Sequence, residues 1–454
     1  MSKVFNDPIH GHIEIHPLLV KIIDTPQFQR LRYIKQLGGT YFVYPGASHN
    51  RFEHSIGVSH LAGLMVQGLK DRQGLGITED DILCVKIAGL CHDLGHGPFS
   101  HMFDQRFIPR IPSRFKWSHE EASLKMFDHM VEVNNLKDEM TIHGLKVPDD
   151  LDFIKELING PLKSNESSLK GRPKEKFFLY EIVANKKNGI DVDKWDYFAR
   201  DSYHLGIKNN FDCHRALSFT RVCEVEGLEL KRICTRDKEV DNLYDMFHTR
   251  NCLHRRACQH KVGNIIEIMI TEAFVLADPH IKIEGSGGKM FTMSKAIHDM
   301  EAYTKLTDQI FEQILYSSSS DLAEAREILK KITCRRLYKF VYQTKDELDK
   351  VIPKDELKDD NIIVDAIEMD WGKKEKNPMD EVYIYKKGEP DKAFKIPRDQ
   401  VTNSLLPRKF GEQWIRFYHR TTNDAAVLKR IVEWCKIHHI PGPQDEDEIP
   451  PEDN

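Results

Sequence analysis

The chain has 454 residues, with 66 Lys+Arg against 71 Asp+Glu and a 40% apolar share. That length allows two or three structural units and a large core without staples, and the composition excludes a disordered chain. No run reaches the ~18 apolar residues of a membrane span, and Met1 to Asn6 hold no apolar stretch of the kind that directs secretion.

The net charge of −5 describes the end of the chain: Asp445 to Asn454 carry six acids and no base, leaving 66 basic against 65 acidic residues elsewhere. Global charge therefore points neither toward nor away from nucleic acid. The histidines are more informative. Eleven of 22 lie in the first 129 residues, where an even spread gives about six, and histidine is both a near-neutral acid–base group and the commonest metal ligand. The nine cysteines form no C-x-x-C pair, which argues against a zinc ribbon and fits a reducing compartment. Cys223 and Cys234 flank a hairpin and read as two ordinary reduced thiols.

In chain order, Asp80 to Gly95 reads as a buried helix entered from Glu79-Asp80-Asp81. The stretch from Lys170 to Gly189 is polar and basic, with Gly171-Arg172-Pro173 as a loop. Val222 to Ile233 reads as a hairpin turning at Glu226-Gly227. Leu306, Ile310, Phe311, Ile314 and Leu315 form a helical stripe. Asn361 to Ala366 reads as a strand, Val382 to Ile396 as a second hairpin, and Val427 to Cys435 as a last helix. The expected fold is mainly α: a helical body over 1–345, a smaller C-terminal α+β lobe over 346–440, and a Pro-rich, acidic, disordered tail over 441–454.

The chemistry concentrates in His92-Asp93-Leu94-Gly95-His96-Gly97-Pro98-Phe99-Ser100-His101-Met102-Phe103-Asp104. Three His and two Asp in thirteen residues are costly to bury unless a metal or phosphate satisfies them. His92 and His96 share a face if the helix runs on, Pro98 stops it, and Gly95 and Gly97 allow backbone to approach a bound group. A His-Asp pair supplies two ligands where a closed divalent site wants about four. The natural complements are His54, in Asn50-Arg51-Phe52-Glu53-His54-Ser55, and Asp193, in Asp191-Val192-Asp193-Lys194-Trp195-Asp196-Tyr197. A mixed N/O set of this kind suits Fe, Mn, Zn or Mg rather than Cu(I).

The H…HD…D spacing resembles that of the HD superfamily of metal-dependent phosphohydrolases. Asp7-Pro8-Ile9-His10-Gly11, Pro26-Gln27-Phe28-Gln29-Arg30-Leu31-Arg32, Gly46 to Ser55 and Asp193 to Asp201 resemble the branch that hydrolyses deoxynucleoside triphosphates, above all its animal members that join a sterile alpha motif to an HD domain. The resemblance runs from Lys3 to about Gln444 and covers the catalytic part without the sterile alpha motif. It implies a metal (Zn, Fe or Mn, with Mg) held by His54, His92, Asp93 and Asp193. It also implies attack of water on the α-phosphorus, giving a deoxynucleoside and intact triphosphate.

Positions matching the family's catalytic residues are His96, His101, His119 and Asp104, with His101 as general acid, His119 on the phosphate side and Asp104 orienting His101. Arg51, Lys194 and Arg250 match phosphate contacts, with Tyr197 beside them. Gln36, Leu37, Asp201 and Gln259 match deoxyribose contacts, Leu37 crowding the 2′ position. The family reads Arg-Arg-Ala-Tyr-Gln-His-Lys where this chain has Arg255-Arg256-Ala257-Cys258-Gln259-His260-Lys261, so Cys258 stands where a Tyr packs on the sugar. The resemblance further implies a homotetramer activated by GTP and dNTP. Lys3, Val4, Asp24, Gln29 and Arg32 would bind guanine nucleotide. Asn6, Val43, Arg221, Arg236, Lys238, Asn242, His260 and Lys261 would bind dNTP, with Arg335, Lys339 and Lys387 from neighbouring chains. It implies nuclear localisation and a role in dNTP-pool control and antiviral defence.

The competing readings are an HD-type nuclease or phosphodiesterase and a single-stranded nucleic-acid-binding regulator. Taking His54, His92, His96, His101 and His119 out of the first 129 residues leaves six histidines, the even-spread number. On that arithmetic His10, His12, His16, His49, His60 and His129 read as background.

Overall fold

In the computed structural model, residues 2–112, 117–161, 169–346, 352, 357, 359–397 and 407–441 are described. The predicted acidic tail lies outside them, Pro441 excepted. The body is helical. A short hairpin, β1 (Lys3–Asp7) and β2 (Gly11–Ile15), leads into α1 (Pro17–Ile23). The centre is α2 (Arg51–Arg72), which packs on α3 (Glu79–Cys91) and α5 (Val192–Leu205), with α4 (His119–Val133) following α3 in the chain. Helix α2 starts where Glu53 Oε1 accepts the Asn50 N–H at 2.7 Å, one half of a capping box. Helix α5 starts where Asp191 accepts the Lys194 N–H at 3.2 Å. These two starts set His54 as the fourth residue of α2 and Asp193 as the second residue of α5.

Helix α3 ends at Cys91, with His92 at its C-cap. The predicted continuation to Gly95 is replaced by tight turns, Leu94 N to Cys91 O and His96 N to Asp93 O. His92 and His96 are therefore not two residues on one helical face. Helices α6 (Val240–Leu253), α7 (Lys261–Ala277) and the short α8 (Ile310–Leu315) complete the part of the body used below. Leu306 precedes α8 and is fully buried.

Both predicted hairpins form. Strands β3 (Thr220–Val225) and β4 (Arg232–Arg236) pair with Val222 opposite Ile233. After β5 (Lys339–Asp346) and β6 (Ile362–Asp370) come β7 (Tyr383–Lys386) and β8 (Glu389–Lys395), with Ile384 opposite Phe394. The two hairpins then join each other: β8 runs parallel to β3 and β4 parallel to β7, closing a four-stranded barrel. Closure leaves no open strand edge. Strand pairing thus links residues before and after position 345. Cys223 and Cys234 are buried there with Val225, Tyr383, Tyr385 and Ala393, and both are free thiols. Strand β6 is longer than the predicted segment, and β9 (Gly411–His419) lies between β5 and β6. Helix α9 (Ala425–Ile437) buries Val427, Ile431, Trp434 and Cys435 beside Val341, Ile415 and Phe417. No helix among the described residues is long and apolar enough to cross a membrane.

Candidate active site

Four side chains from three elements converge at the end of α3. His54 Nε2 lies 3.1 Å from Asp193 Oδ1 and 3.5 Å from Asp93 Oδ2. His92 Nε2 lies 3.3 Å from Asp93 Oδ1 and 3.4 Å from Asp193 Oδ1. A tetrahedral ion at ~2.1 Å from each donor has donor–donor edges of ~3.4 Å, so this is the spacing of a ligand shell. His92 Nδ1 faces the Gly89 carbonyl at 2.9 Å. Donating there satisfies an orphan carbonyl at the helix end and leaves Nε2 with a lone pair. That Nε2 is buried and has no hydrogen-bond partner among the described residues. Burial opposes charge on His54, yet the carboxylates of Asp193, Asp196 and Asp93 outweigh it and lift its pKa to about 10. The centre calls for a cation, and its donor set fits a divalent metal.

What orients the ligands came less clearly from the sequence. His54 Nδ1 lies 2.7 Å from Asp196 Oδ2, and His10 Nε2 lies 2.6 Å from Asp196 Oδ1. Arg200 donates Nε and Nη2 to the same carboxylate at 2.9 Å each and Nη1 to Asp7 at 2.9 Å. A carboxylate behind a ligand histidine selects its tautomer and raises its basicity. His10 is thus no background residue, and neither is buried His49, 2.6 Å from Asp201 Oδ1. The signal was present at Gly57: a Cβ there would collide with Asp196 Oδ1, so α2 needs glycine one turn past His54.

The turn from His92 to His96 is held by Arg30, which donates to the Leu94 and His96 carbonyls at 3.0 and 2.9 Å, and by Tyr303 OH, which donates to Gly95 O at 2.8 Å. Gly95 and Gly97 face protein rather than a ligand. A Cβ on Gly95 would collide with His119 O and Ser123 N, and one on Gly97 with the Phe103 ring. The close approach at Gly95 brings α4 up to the turn, so the His119 and His96 rings stack at 4.1 Å. His101 stands edge-on to both, at 5.0 and 5.2 Å. Asp104 Oδ2 lies 2.8 Å from His119 Nδ1, while its Oδ1 lies 3.5 Å from His101 Nδ1. The shorter bond goes to His119, so Asp104 orients that ring first. Burial works against charge on His119, but Asp104 raises its pKa; burial, Arg51 and His119 hold His96 well below its usual value.

Arg51 donates Nη1 to Asp93 Oδ2 at 2.7 Å and Nε to Ser100 Oγ at 3.0 Å. Lys194 Nζ lies 3.1 Å from both Asp191 oxygens. The Tyr197 ring is 6.3 Å from His54, and burial pushes its phenol up to about 12. Arg250 donates to His254 Nε2 at 2.8 Å and to Asp370 at 3.3 Å. Gln36 is buried with its Oε1 unpartnered among the described residues; Leu37 is half-buried; Gln259 Oε1 accepts from Asn264 at 3.0 Å. Burial, then Asp201, pushes the half-buried Cys258 thiol up to about 12.

The remaining predicted nucleotide contacts fall into groups. Lys3 Nζ meets Asp24 at 2.8 Å, and Arg32 Nε donates to Gln29 Oε1 at 2.8 Å; Val4 and Asn6 are exposed on β1. Arg335 donates to the Phe42 carbonyl at 2.9 Å beside Val43, the His260 ring lies 6.0 Å from Tyr44, and Lys261 Nζ sits 4.7 Å over Phe340, next to Lys339. Arg221 bonds Asp391 on the neighbouring barrel strand at 2.9 Å, and Arg236 bonds Asp237 at 2.8 Å. Lys238 covers the Phe219 ring at 3.8 Å, Asn242 donates to Asp212 O at 3.1 Å, and Lys387 is exposed in the β7–β8 turn.

Comparison with known proteins agrees with this geometry. The HD domain family matches residues 51–201, from Arg51 to Asp201. The deoxynucleoside triphosphate triphosphohydrolase SAMHD1 of Danio rerio is 62% identical, covering 99% of this chain and 76% of that protein. The Homo sapiens protein of the same name is 58% identical over 99% of this chain and 76% of its own length. A SAMHD1 homologue from Dictyostelium discoideum is 38% identical, covering 100% of this chain and 84% of its own. With an HD domain matched and identity sustained over 99% of the chain, the chain belongs to the SAMHD1 family of HD-domain deoxynucleoside triphosphate triphosphohydrolases.

Proposed function

We propose that this protein hydrolyses deoxynucleoside triphosphates to deoxynucleoside and inorganic triphosphate. The observation that carries the reading is the convergence of His54, His92, Asp93 and Asp193 at 3.1–3.5 Å beside three further histidines. A divalent ion held by those four residues lowers the pKa of water and stabilises charge on phosphoryl oxygens. The chain's own groups do the rest. Arg51, Lys194 and Arg250 offset the roughly four charges of the triphosphate, with Tyr197 alongside. His101, half exposed at the site, protonates the departing 5′-oxygen as general acid. His119, its pKa raised by Asp104, faces the phosphates, and neutral His96 packs against both rings.

Sugar recognition falls to Gln36, Leu37, Asp201 and Gln259. An apolar Leu37 cannot satisfy a 2′-hydroxyl, which disfavours ribonucleotides. Cys258 leaves space where the family's Tyr packs. The activity is regulated by GTP and dNTP bound at the Lys3/Asp24/Gln29/Arg32 group and at the groups around Val43 and Arg221, with Arg335, Lys339 and Lys387 supplied across a homotetramer. Linkage then couples nucleotide binding to assembly. This reading places the protein in dNTP-pool control and antiviral restriction, in the nucleus. The test is incubation with dGTP and Mg²⁺, Mn²⁺ or Zn²⁺. Deoxyguanosine plus triphosphate is expected, and Asp93→Asn should be inactive. Release of pyrophosphate, or no turnover, overturns the reading.

A further inference from the structure

Asp201 is half engaged. Its Oδ1 lies 2.6 Å from His49 Nε2, with side chains 3% and 0% exposed. Its other oxygen accepts no hydrogen bond from the described residues. The segment that carries His49 is held by three backbone contacts. The His49 carbonyl accepts from Gln36 N at 3.0 Å, Arg51 N donates to Ile34 O at 3.0 Å, and Lys35 and Asn50 form an antiparallel bridge. This zips the segment that carries Gln36 and Leu37 to the one that carries His49 and Arg51. The face of the His49 ring stacks on His204 at 4.4 Å and 12°, and His204 lies three residues beyond Asp201 on α5.

We infer that His49 is a positioning residue: it holds Asp201, already on the sugar side in the reading above, in one orientation, with its free carboxylate oxygen left for the 3′-hydroxyl of the deoxyribose. The inference rests on the sugar-side reading above. The deoxyribose of a 5′-triphosphate carries one hydroxyl, at C3′, and an ionised carboxylate is an acceptor only. Tying one oxygen to His49 leaves the second aimed at a single donor, a charge-assisted bond with little freedom to lose. Asp201 also lies close enough to Cys258 to contribute to its raised pKa. That is the position lacking the family's phenol, so the anchored carboxylate supplies the polar wall for the sugar there.

The experiment compares kcat/KM for a dNTP with that for its 2′,3′-dideoxy counterpart in wild type, Asp201→Asn, His49→Phe and His49→Gln, with melting temperature and metal content measured on each. Asp201→Asn should lower the preference for the 3′-hydroxyl by at least about tenfold. His49→Phe keeps the stacked ring but removes the donor, and should lower it about as far, mainly through KM. His49→Gln restores an N–H donor and should keep the preference within about threefold of wild type. If His49→Phe does not fold, His49→Asn, whose amide falls short of Asp201, takes its place with the same expectation. A folded, metal-replete His49→Phe or His49→Asn that keeps the preference while Asp201→Asn loses it overturns the role of His49 alone. An unchanged ratio in Asp201→Asn overturns the sugar-side reading and the inference together.

Discussion

At the scale of single residues, the centre depends on groups that never touch the metal position. Asp196 is fully buried and holds His54, His10 and Arg200 at once. Asp196→Asn puts an amide N–H against one of these donors and removes the charge behind His54. Metal affinity should fall about 10–100-fold, measured by competition with a calibrated chelator; unchanged affinity would show that His54 needs no carboxylate behind it. Cys258 stands where the resemblance implies a tyrosine. Cys258→Tyr restores the phenol and should raise the dNTP-over-rNTP ratio of kcat/KM, on the order of tenfold. An unchanged ratio would remove position 258 from sugar discrimination.

At the scale of elements, the segment that follows the His92–His96 turn and meets Arg51 is strained. Phe99 and Ser100 adopt φ of 57° and 55°, left-handed values that non-glycine residues pay for. The return is Ser100 Oγ, which accepts from Arg51 and donates to Lys35 O at 2.6 Å. Asp308 stabilises the arrangement by accepting Phe99 N at 2.6 Å and Lys35 N at 2.8 Å. Gly38 completes it: at φ 50°, a Cβ there would lie 2.6 Å from Phe99 O. Burial, only partly offset by those N–H groups, lifts the Asp308 carboxyl to about 7. A raised carboxyl binds its proton more readily folded than unfolded, so its contribution to stability falls as pH rises from about 4 to about 7. Asp308→Asn removes that slope and leaves one backbone N–H facing an amide, costing about 1–3 kcal/mol. Melts at pH 5 and pH 7.5 should differ less in the variant than in wild type; an equal difference would locate the pH dependence elsewhere.

At the scale of the whole molecule, the proposed activator residues span β1, the C-cap of α1, the barrel, α6, the start of α7 and the start of β5. Lys3 and Asp24 form an exposed ion pair at 2.8 Å, worth about 0–1 kcal/mol and easily exchanged for contacts to a nucleotide. GTP together with a dNTP should convert the protein to tetramers in sedimentation velocity, and Asp24→Ala should blunt the shift. A single unchanged species with both nucleotides present would rule out assembly-coupled activation.

From the sequence alone, the candidate ligands could be named. His54, His92, Asp93 and Asp193 carry chemistry that few other side chains supply, and the apolar run of α3 and the two hairpins are local patterns of 3.6 and 2 residues. Tertiary structure decided what local pattern cannot carry. His10, His49, Asp196 and Asp308 became part of the site only when segments more than 100 residues apart were packed together, because a hydrogen bond between distant residues leaves no periodicity. The same holds for the barrel: each hairpin was legible alone, but which open edges would pair depended on the body that brings them together. Gly57, Gly95 and Gly38 lie between the two cases. Their identity was visible, and only the packed neighbours showed that each makes room for protein: Asp196, the start of α4 and the Phe99 carbonyl.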